Sequence, residues 1–144
     1  MNPGTIFSKP QFIMHDGTYG NKFFINLNDG LGYPYIFVLS TTKQKGRSTI
    51  FGCHNEDRLP NFHLPIACTC FFEFDTWVLM EGYKEIRKTE FSNDIVNGIF
   101  LRLSCLSDDI TKDLIQCAIE SGDLLTSQRN SLIESLNRLY TKDN

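Results

Sequence analysis

The segments KFFINLN at residues 22–28 and YIFVLSTT at residues 35–42 decide the expected fold. Each contains an apolar run of strand length, and the turn formers at residues 29–34 separate the two runs. Aromatic and β-branched residues suit a pleated, half-buried surface, so we expect two buried core strands here. Two later segments, CTCFFEF at 68–74 and TWVLM at 76–80, predict two more strands.

Shorter strands are expected around this centre. GTIF at 4–7 and QFIM at 11–14 predict two N-terminal strands that Lys9-Pro10 separates, because proline cannot donate a ladder hydrogen bond. Additional strands are expected over residues 48–52, 83–89 and 99–103. Residues 92–98 leave two alternatives open: VNGI at 96–99 forms a hairpin turn, or Gly98 ends a helical turn. Residues 53–65 contain two prolines, two histidines and many polar side chains, and we expect a long ordered loop there.

The apolar periodicity becomes helical after residue 106. Ile110, Leu114 and Cys117 recur at helical spacing, with Ser107 or Asp108 available as the N-cap and Ser121-Gly122 as a stop. A second helix is expected from about Thr126 to Tyr140. The sequence therefore predicts one α+β domain over 1–144, mainly β: a small twisted β-part over 1–106 and a helical cap over 107–144.

Composition limits the classes of function. A chain of 144 residues is long enough for one core. A net charge of −3 argues against a protein that coats nucleic acid through bulk charge. There is no apolar run of membrane-spanning length and no basic, then apolar, leader at residues 1–4, so we expect a cytoplasmic protein without membrane contact. Five scattered cysteines are not a disulfide framework, and reduced thiols are expected.

Four segments form, by their order and spacing, a pattern that resembles a known family. They are GTIF at 4–7, DGTYGN at 16–21 running into Lys22, YIFVLSTT at 35–42, and DTWVL at 75–79 followed by EIR at 85–87 and Leu106-Ser107. This order, over roughly residues 4–120, resembles the MazF/PemK family of toxin endoribonucleases. The resemblance implies an SH3-like β-barrel with C-terminal helices, usually a homodimer, that cleaves single-stranded RNA without a metal or cofactor. It also implies a cognate antitoxin protein that keeps the enzyme inactive.

Metal-independent RNA cleavage needs a cation for the phosphate, hydrogen-bond donors for its oxygens, and groups that transfer protons. By the resemblance, Lys22 and Thr41 match the family's catalytic pair, although Lys22-Phe23 stands where the family has Arg followed by Pro. Thr42 follows Thr41 and offers a second hydroxyl. His15 is a candidate proton shuttle because imidazole titrates near neutral pH.

Binding of single strands combines cations with stacking surfaces. The residues expected to contact RNA are Ser40, Lys43, Lys45, Arg47 and Tyr19. Among the other aromatic residues, Phe7, Phe12 and Trp77 are further candidates for stacking, although most aromatics in a domain of this size belong to the core. Each site residue also has an ordinary structural interpretation: residues 43–47 as a solvated turn, the two threonines as turn formers, and Lys22 as a strand-end lysine.

Two other functions stay open. The first is a noncatalytic protein of the same fold that binds nucleic acid or protein. The second is a zinc-stabilised interaction module that uses Cys53, His54, His63, Cys68 and Cys70, although their spacing differs from the compact ligand pairs of structural zinc sites. A cysteine nucleophile with His63 as its base lacks an evident third group to orient the histidine.

Overall fold

The computed structural model describes residues 1–68 and 71–142. In these ranges the chain is α+β, with an antiparallel sheet of eight strands and three α-helices. The elements, in chain order, are β1 (Thr5–Ile13), β2 (Tyr19–Asn26), β3 (Tyr35–Thr41), β4 (Gly52–His54), β5 (Asn61–Leu64), β6 (Thr76–Leu79), β7 (Lys84–Ile86), α1 (Lys88–Val96), β8 (Leu101–Cys105), α2 (Asp108–Glu120) and α3 (Thr126–Lys142).

The strand order is β4-β5-β6-β3-β2-β1-β8, and β7 pairs with β3 beside that path. Strand β3 is shared by two branches: its end pairs with β6, where Ser40 lies opposite Val78, and its start pairs with β7, where Ile36 lies opposite Glu85. The sheet is not closed, because β4 and β8 lie at its two ends. The barrel closure that the resemblance implies is therefore not confirmed.

The N-terminal strand does not break at Lys9-Pro10 as the sequence predicted. β1 is a single strand, and an irregularity in its pairing with β2 absorbs the proline: Lys9 lies opposite Lys22, and the next recorded pair joins Phe12 to Gly20. One extra residue on β1 at this point is a β-bulge, where a residue without a donor is tolerated. The two expected strands are therefore one.

One face of the sheet packs against the two C-terminal helices. Ile25, Ile36 and Val38 from the central strands form one core with Leu114 of α2 and Leu132 of α3, all of them buried. The expected helices are confirmed, and so is the N-cap, since Oγ of Ser107 accepts a hydrogen bond from the backbone N–H of Ile110 at 3.3 Å. The helical cap thus covers this face and leaves the other to a different set of side chains.

The opposite face carries a second, aromatic core. It consists of Phe7, Phe24, Tyr35, Phe37, Phe91 and Phe100. Phe91 belongs to α1, and its ring centroid is 4.8 Å from that of Phe7 and 5.3 Å from that of Phe37. Of the two alternatives at residues 96–99, the structure has the helical turn that ends before Gly98. Residues 88 and 89 were expected to be strand. They begin α1 instead, because burial of Phe91 fixes a short helix of weak amphipathicity against the sheet.

The middle of the chain departs most from expectation. Residues 53–65 were expected to be loop, but they contain most of β4 and all of β5, while residues 48–51 are not strand. All four residues of β5 are buried, so Pro60 and Pro65 bracket a strand rather than break one. Residues 71–74 were expected to be strand and are not. Thr69 and Cys70, in the same expected strand, lie outside the described residues.

A disulfide joins Cys53 of β4 to Cys117 of α2, with the two Cα atoms 5.6 Å apart and a sequence separation of 64. The expectation of reduced thiols was wrong for this pair. Odd cysteine number and wide spacing give no signal for a single bridge, because only the packing of α2 beside β4 brings the two residues together. Cys68 and Cys105 are free.

Candidate functional site

Lys22 and Thr41 lie on the same sheet face, the one away from α2 and α3. In the pairing of β2 with β3 the last pair joins Phe24 to Leu39, and Lys22 and Thr41 each lie two residues beyond it on their own strands. Side chains alternate between the two faces of a strand, so Lys22 shares the face of Phe24, and Thr41 shares that of Phe37, both in the aromatic core.

Three further side chains on neighbouring strands belong with Lys22 and Thr41. Lys9 is paired with Lys22, Thr41 with Trp77, and Trp77 with His63. We call Lys9, Lys22, Thr41, Trp77 and His63 the polar row. Lys9 was not among the expected site residues, because the Lys9-Pro10 sequence indicated only a strand break. A basic residue one strand away from Lys22 becomes visible only when the register is known.

The hydroxyl of Thr41 is free to act as a donor. Its Oγ1 accepts a hydrogen bond from the backbone N–H of Lys43 at 3.2 Å, which leaves the Thr41 O–H available for another acceptor. Thr42 is exposed at the start of the following loop. Ser40, by contrast, is buried on the opposite face and donates to the carbonyl of Phe23 at 3.3 Å. Ser40 therefore stabilises the β2–β3 pairing and cannot contact RNA on the face of the polar row.

The basic loop after β3 has a fixed shape. Lys45 and Gly46 both have positive φ angles, 47° and 82°, and the N–H of Arg47 donates to the carbonyl of Gln44 at 2.9 Å. Two successive left-handed residues closed by such a bond make a type I′ turn. The far end of the loop is held by Nε1 of Trp77, which donates to the carbonyl of Ser48 at 2.8 Å. The loop is thus fastened to the sheet on both sides of the turn.

Four cations converge where this loop meets the sheet. Lys22 is half-buried, and its pKa lies below the ordinary lysine value, first because of burial and then because of the positive charges of Lys43, Arg47 and Lys45. Lys43 also lowers the pKa of Asp16 on the β1–β2 turn, although hydrogen bonds from Thr18 are the larger cause. A surface that crowds cations around a half-buried ammonium is arranged to receive an anion.

Arg47 differs in role from the two lysines of the loop. Only 8% of Arg47 is exposed, and its Nη1 donates to the carbonyls of Lys43 at 2.8 Å and Gln44 at 3.4 Å. Burial lowers its pKa. The guanidinium therefore fixes the turn from inside, whereas Lys43 and Lys45 are exposed. Arg47 was expected to contact RNA together with these two lysines, and the structure places its guanidinium inside the turn.

His15 and Tyr19 lie near the β1–β2 turn. His15 is exposed at its tip, and no hydrogen bond or ion pair among the described residues joins it to Lys22 or Thr41. Tyr19 is 68% exposed, but alternation along β2 sets its side chain on the face opposite that of Lys22. The structure thus brings Lys22, Thr41, Lys43 and Lys45 together and does not bring Tyr19 to the same face.

Trp77 and His63 fill the end of the polar row as buried partners. Their ring centroids are 4.8 Å apart with an interplanar angle of 25°, and the two residues are 4% and 1% exposed. Burial lowers the pKa of His63, against the opposing influence of the Asp75 carboxylate. Trp77 and Phe7, both buried, cannot stack on bases, and His63 supports the loop from below rather than meeting a substrate.

The disulfide removes one candidate ligand from the proposed zinc site. Cys53 is bonded to Cys117 and is not available as a thiolate. Nε2 of His54 lies 2.7 Å from the carbonyl oxygen of Ile50, and His63 is buried against Trp77. Within residues 1–68 and 71–142 no three histidine, cysteine or acidic side chains are grouped as metal ligands would be. Cys70, a further candidate ligand, lies outside those ranges.

Comparison with protein-family profiles, with curated proteins and with solved structures finds no match to this chain. Function is therefore inferred from the site. In the described part of the chain, no helix combines the length and apolar character needed to cross a bilayer.

Proposed function

We propose that the face carrying the polar row binds single-stranded RNA and that Lys22 and Thr41 cleave it without a metal ion. The observation that carries the proposal is the convergence on Lys22 of three further cations, Lys43, Lys45 and Arg47, beside a threonine with a free hydroxyl donor. An acidic protein concentrates positive charge at one place when an anion binds there. The proposal keeps the SH3-like barrel and the MazF/PemK-type toxin activity that the sequence suggested.

In the proposed reaction the 2′-oxygen of one nucleotide attacks the adjacent phosphorus. A bond forms between that oxygen and phosphorus, the bond from phosphorus to the 5′-oxygen breaks, and the products are a 2′,3′-cyclic phosphate and a free 5′-hydroxyl. The Lys22 ammonium stabilises the charge on the phosphoryl oxygens, and the Thr41 hydroxyl donates to one of them. In this proposal His15 removes the proton from the 2′-hydroxyl and delivers a proton to the 5′-oxygen. Thr42 is a second hydroxyl donor to the phosphate.

The cleavage experiment uses purified protein, a long single-stranded RNA and EDTA. We expect the wild type to cut the RNA, and Lys22→Gln and Thr41→Val to lower the rate by about 10²-fold or more. Lys22→Arg and Thr41→Ser keep the charge and the hydroxyl, and both variants should retain most of the activity. Lys142→Gln removes an exposed lysine from α3, which packs on the opposite face of the sheet, and serves as the control for net charge.

A catalytically silent binding protein of the same fold is the second candidate. The exposed position of His15 favours this candidate. Among the described residues no hydrogen bond orients the His15 imidazole for proton transfer. In that case RNA stays intact with all variants, but Lys22→Gln still weakens binding of the RNA. Cleavage by the wild type in EDTA, lost in Lys22→Gln, would exclude the silent protein.

The proposal also includes a homodimer, a cognate antitoxin and a cytoplasmic location. Strand β8 supports the homodimer because it forms one end of the sheet and exposes Leu101 and Leu103. Sedimentation of the wild type and of Leu103→Lys tests this part, and a monomeric wild type at micromolar concentration would contradict it. Disulfides are rare in the cytosol, so thiol alkylation in fresh lysates tests the location through Cys53 and Cys117.

A further inference from the structure

A cavity of about 400 Å³ opens between the basic loop after β3 and the loop that joins β4 to β5. Three of its lining residues are cationic, Lys45, Arg47 and Arg58, and one is acidic, Asp57. We call this the loop cavity. No ion pair in the described part of the chain involves Lys45 or Arg58, so their charges are not neutralised by neighbouring carboxylates. The cavity therefore has a surplus of positive charge.

Arg47 supplies the second observation. The residue is more than nine-tenths buried, and its Nη1 is occupied by main-chain carbonyls, but its buried Nε has no hydrogen-bond partner among the described residues. A buried donor without a partner costs about 1–3 kcal/mol. Because Arg47 lines the cavity, the charge of its guanidinium acts on an anion seated there, although the buried Nε itself is closed to solvent.

The backbone conformation of Lys45 gives further support. Lys45 is the one described residue other than glycine with a positive φ, 47°, and the left-handed conformation costs a lysine about 1–2 kcal/mol. The type I′ turn requires this conformation at Lys45, and Lys45 lines the cavity together with Arg58 of the other loop.

From these observations we propose that the loop cavity binds a backbone phosphate of single-stranded RNA, adjacent to the phosphate held at Lys22. This proposal rests on the proposed function. Lys45 and Arg47 line the cavity and also influence the charge state of Lys22, so the two places belong to one positively charged surface. Arginine offers a planar fork that matches two phosphate oxygens. Asp57 at the same cavity weakens the attraction and keeps binding of the strand reversible.

The test measures binding of a fluorescein-labelled 2′-O-methyl RNA oligonucleotide, which lacks the attacking 2′-hydroxyl and cannot be cleaved. Anisotropy titrations over a series of KCl concentrations give the affinity and its salt dependence. We expect Arg58→Gln and Lys45→Gln each to weaken binding about 5- to 10-fold and to reduce the salt slope by about 0.7, as the loss of one phosphate contact does for single strands. Asp57→Asn should tighten binding, and the control Lys142→Gln should match the wild type.

The possible outcomes separate the cavity from the cleavage site. Unchanged affinity and slope in both Arg58→Gln and Lys45→Gln would overturn the cavity proposal, and weaker binding by Lys22→Gln in that case would leave the proposed function standing. Reduced slopes without any cleavage of ordinary RNA would support the cavity and remove the nuclease. No binding of the oligonucleotide by the wild type would overturn both.

A second arm identifies the source of the phosphate. The amide resonances of Gly46 and Arg47 are followed by NMR during titration with inorganic phosphate and, separately, with the oligonucleotide. We expect the oligonucleotide to shift both resonances, and inorganic phosphate to shift them only in large excess. Shifts with inorganic phosphate at low concentration and none with the oligonucleotide would assign the cavity to a free phosphate ion and overturn the RNA proposal.

Discussion

Nδ2 of Asn28 donates a hydrogen bond of 2.9 Å to Oγ of Ser131, which lies 103 residues further along the chain on α3. The same amide nitrogen donates to the carbonyl of Pro34, and Oδ1 of Asn28 accepts from the backbone N–H of Ile36, both at 2.9 Å. Asn28 is fully buried. One side chain therefore closes the β2–β3 connection and attaches α3 to it.

Asn28→Ala should reduce the free energy of unfolding by about 2–4 kcal/mol, because it leaves the N–H of Ile36 and the hydroxyl of Ser131 without their partner in a buried region. Ser131→Ala is the matched control and should cost about 1 kcal/mol, since Asn28 keeps its bonds to Pro34 and Ile36. Urea unfolding measures both values. Equal losses in the two variants would show that Asn28 does not hold the connection by itself.

The Cys53–Cys117 disulfide closes a loop with a sequence separation of 64 residues, for which chain entropy predicts a contribution of about 4 kcal/mol. Dithiothreitol, or the substitution Cys53→Ser at this exposed position, should lower the urea midpoint accordingly. Cys105→Ser, at an exposed free thiol, should leave the midpoint unchanged. A midpoint insensitive to reduction, with alkylated Cys53 and Cys117 peptides in the untreated protein, would contradict the bridge.

Lys45→Gly should stabilise the fold by about 1 kcal/mol, because glycine adopts the left-handed conformation of this position without strain. Lys45→Gln keeps the strain and removes only the charge, so the free energy of unfolding should stay within about 0.5 kcal/mol of the wild type. Both variants should bind RNA less tightly. Destabilisation by Lys45→Gly would mean that the turn at Gln44–Arg47 has a different conformation in solution.

The pKa of His63 lies below its ordinary value because burial disfavours the charged ring, with a smaller contribution from His54 and an opposing one from Asp75. The unfolded chain then binds the proton more readily than the folded one. The contribution of His63 to the free energy of unfolding is fully present above pH about 6.5. It decreases as the pH falls toward the pKa of His63 in the folded protein, by at most about 1.4 kcal/mol per pH unit. His63→Gln should remove this part of the slope measured by urea unfolding between pH 7 and 5, and an unchanged slope would contradict it.

The sequence was informative where the signal is local. The runs at residues 22–28 and 35–42 form β2 and β3, and the Ser107 cap starts α2 as expected. Expectations failed at β4 and β5, which form by pairing with each other and with β6, and at α1, whose Phe91 packs against Phe7 and Phe37. In the site, the basic residues near Lys22 were found from the sequence, but the burial of Arg47 and Ser40 was not.

By itself, the sequence determined that this chain has central apolar strands, two amphipathic C-terminal helices and a basic segment after the strand that ends at Thr41, since each depends on neighbouring residues. Only the tertiary structure decided that Lys9 pairs with Lys22, that Arg58 lines a cavity with the basic loop, and that Cys53 meets Cys117. Strand register and helix packing set these relationships. They arise from contacts between residues far apart in the chain, which no local pattern records.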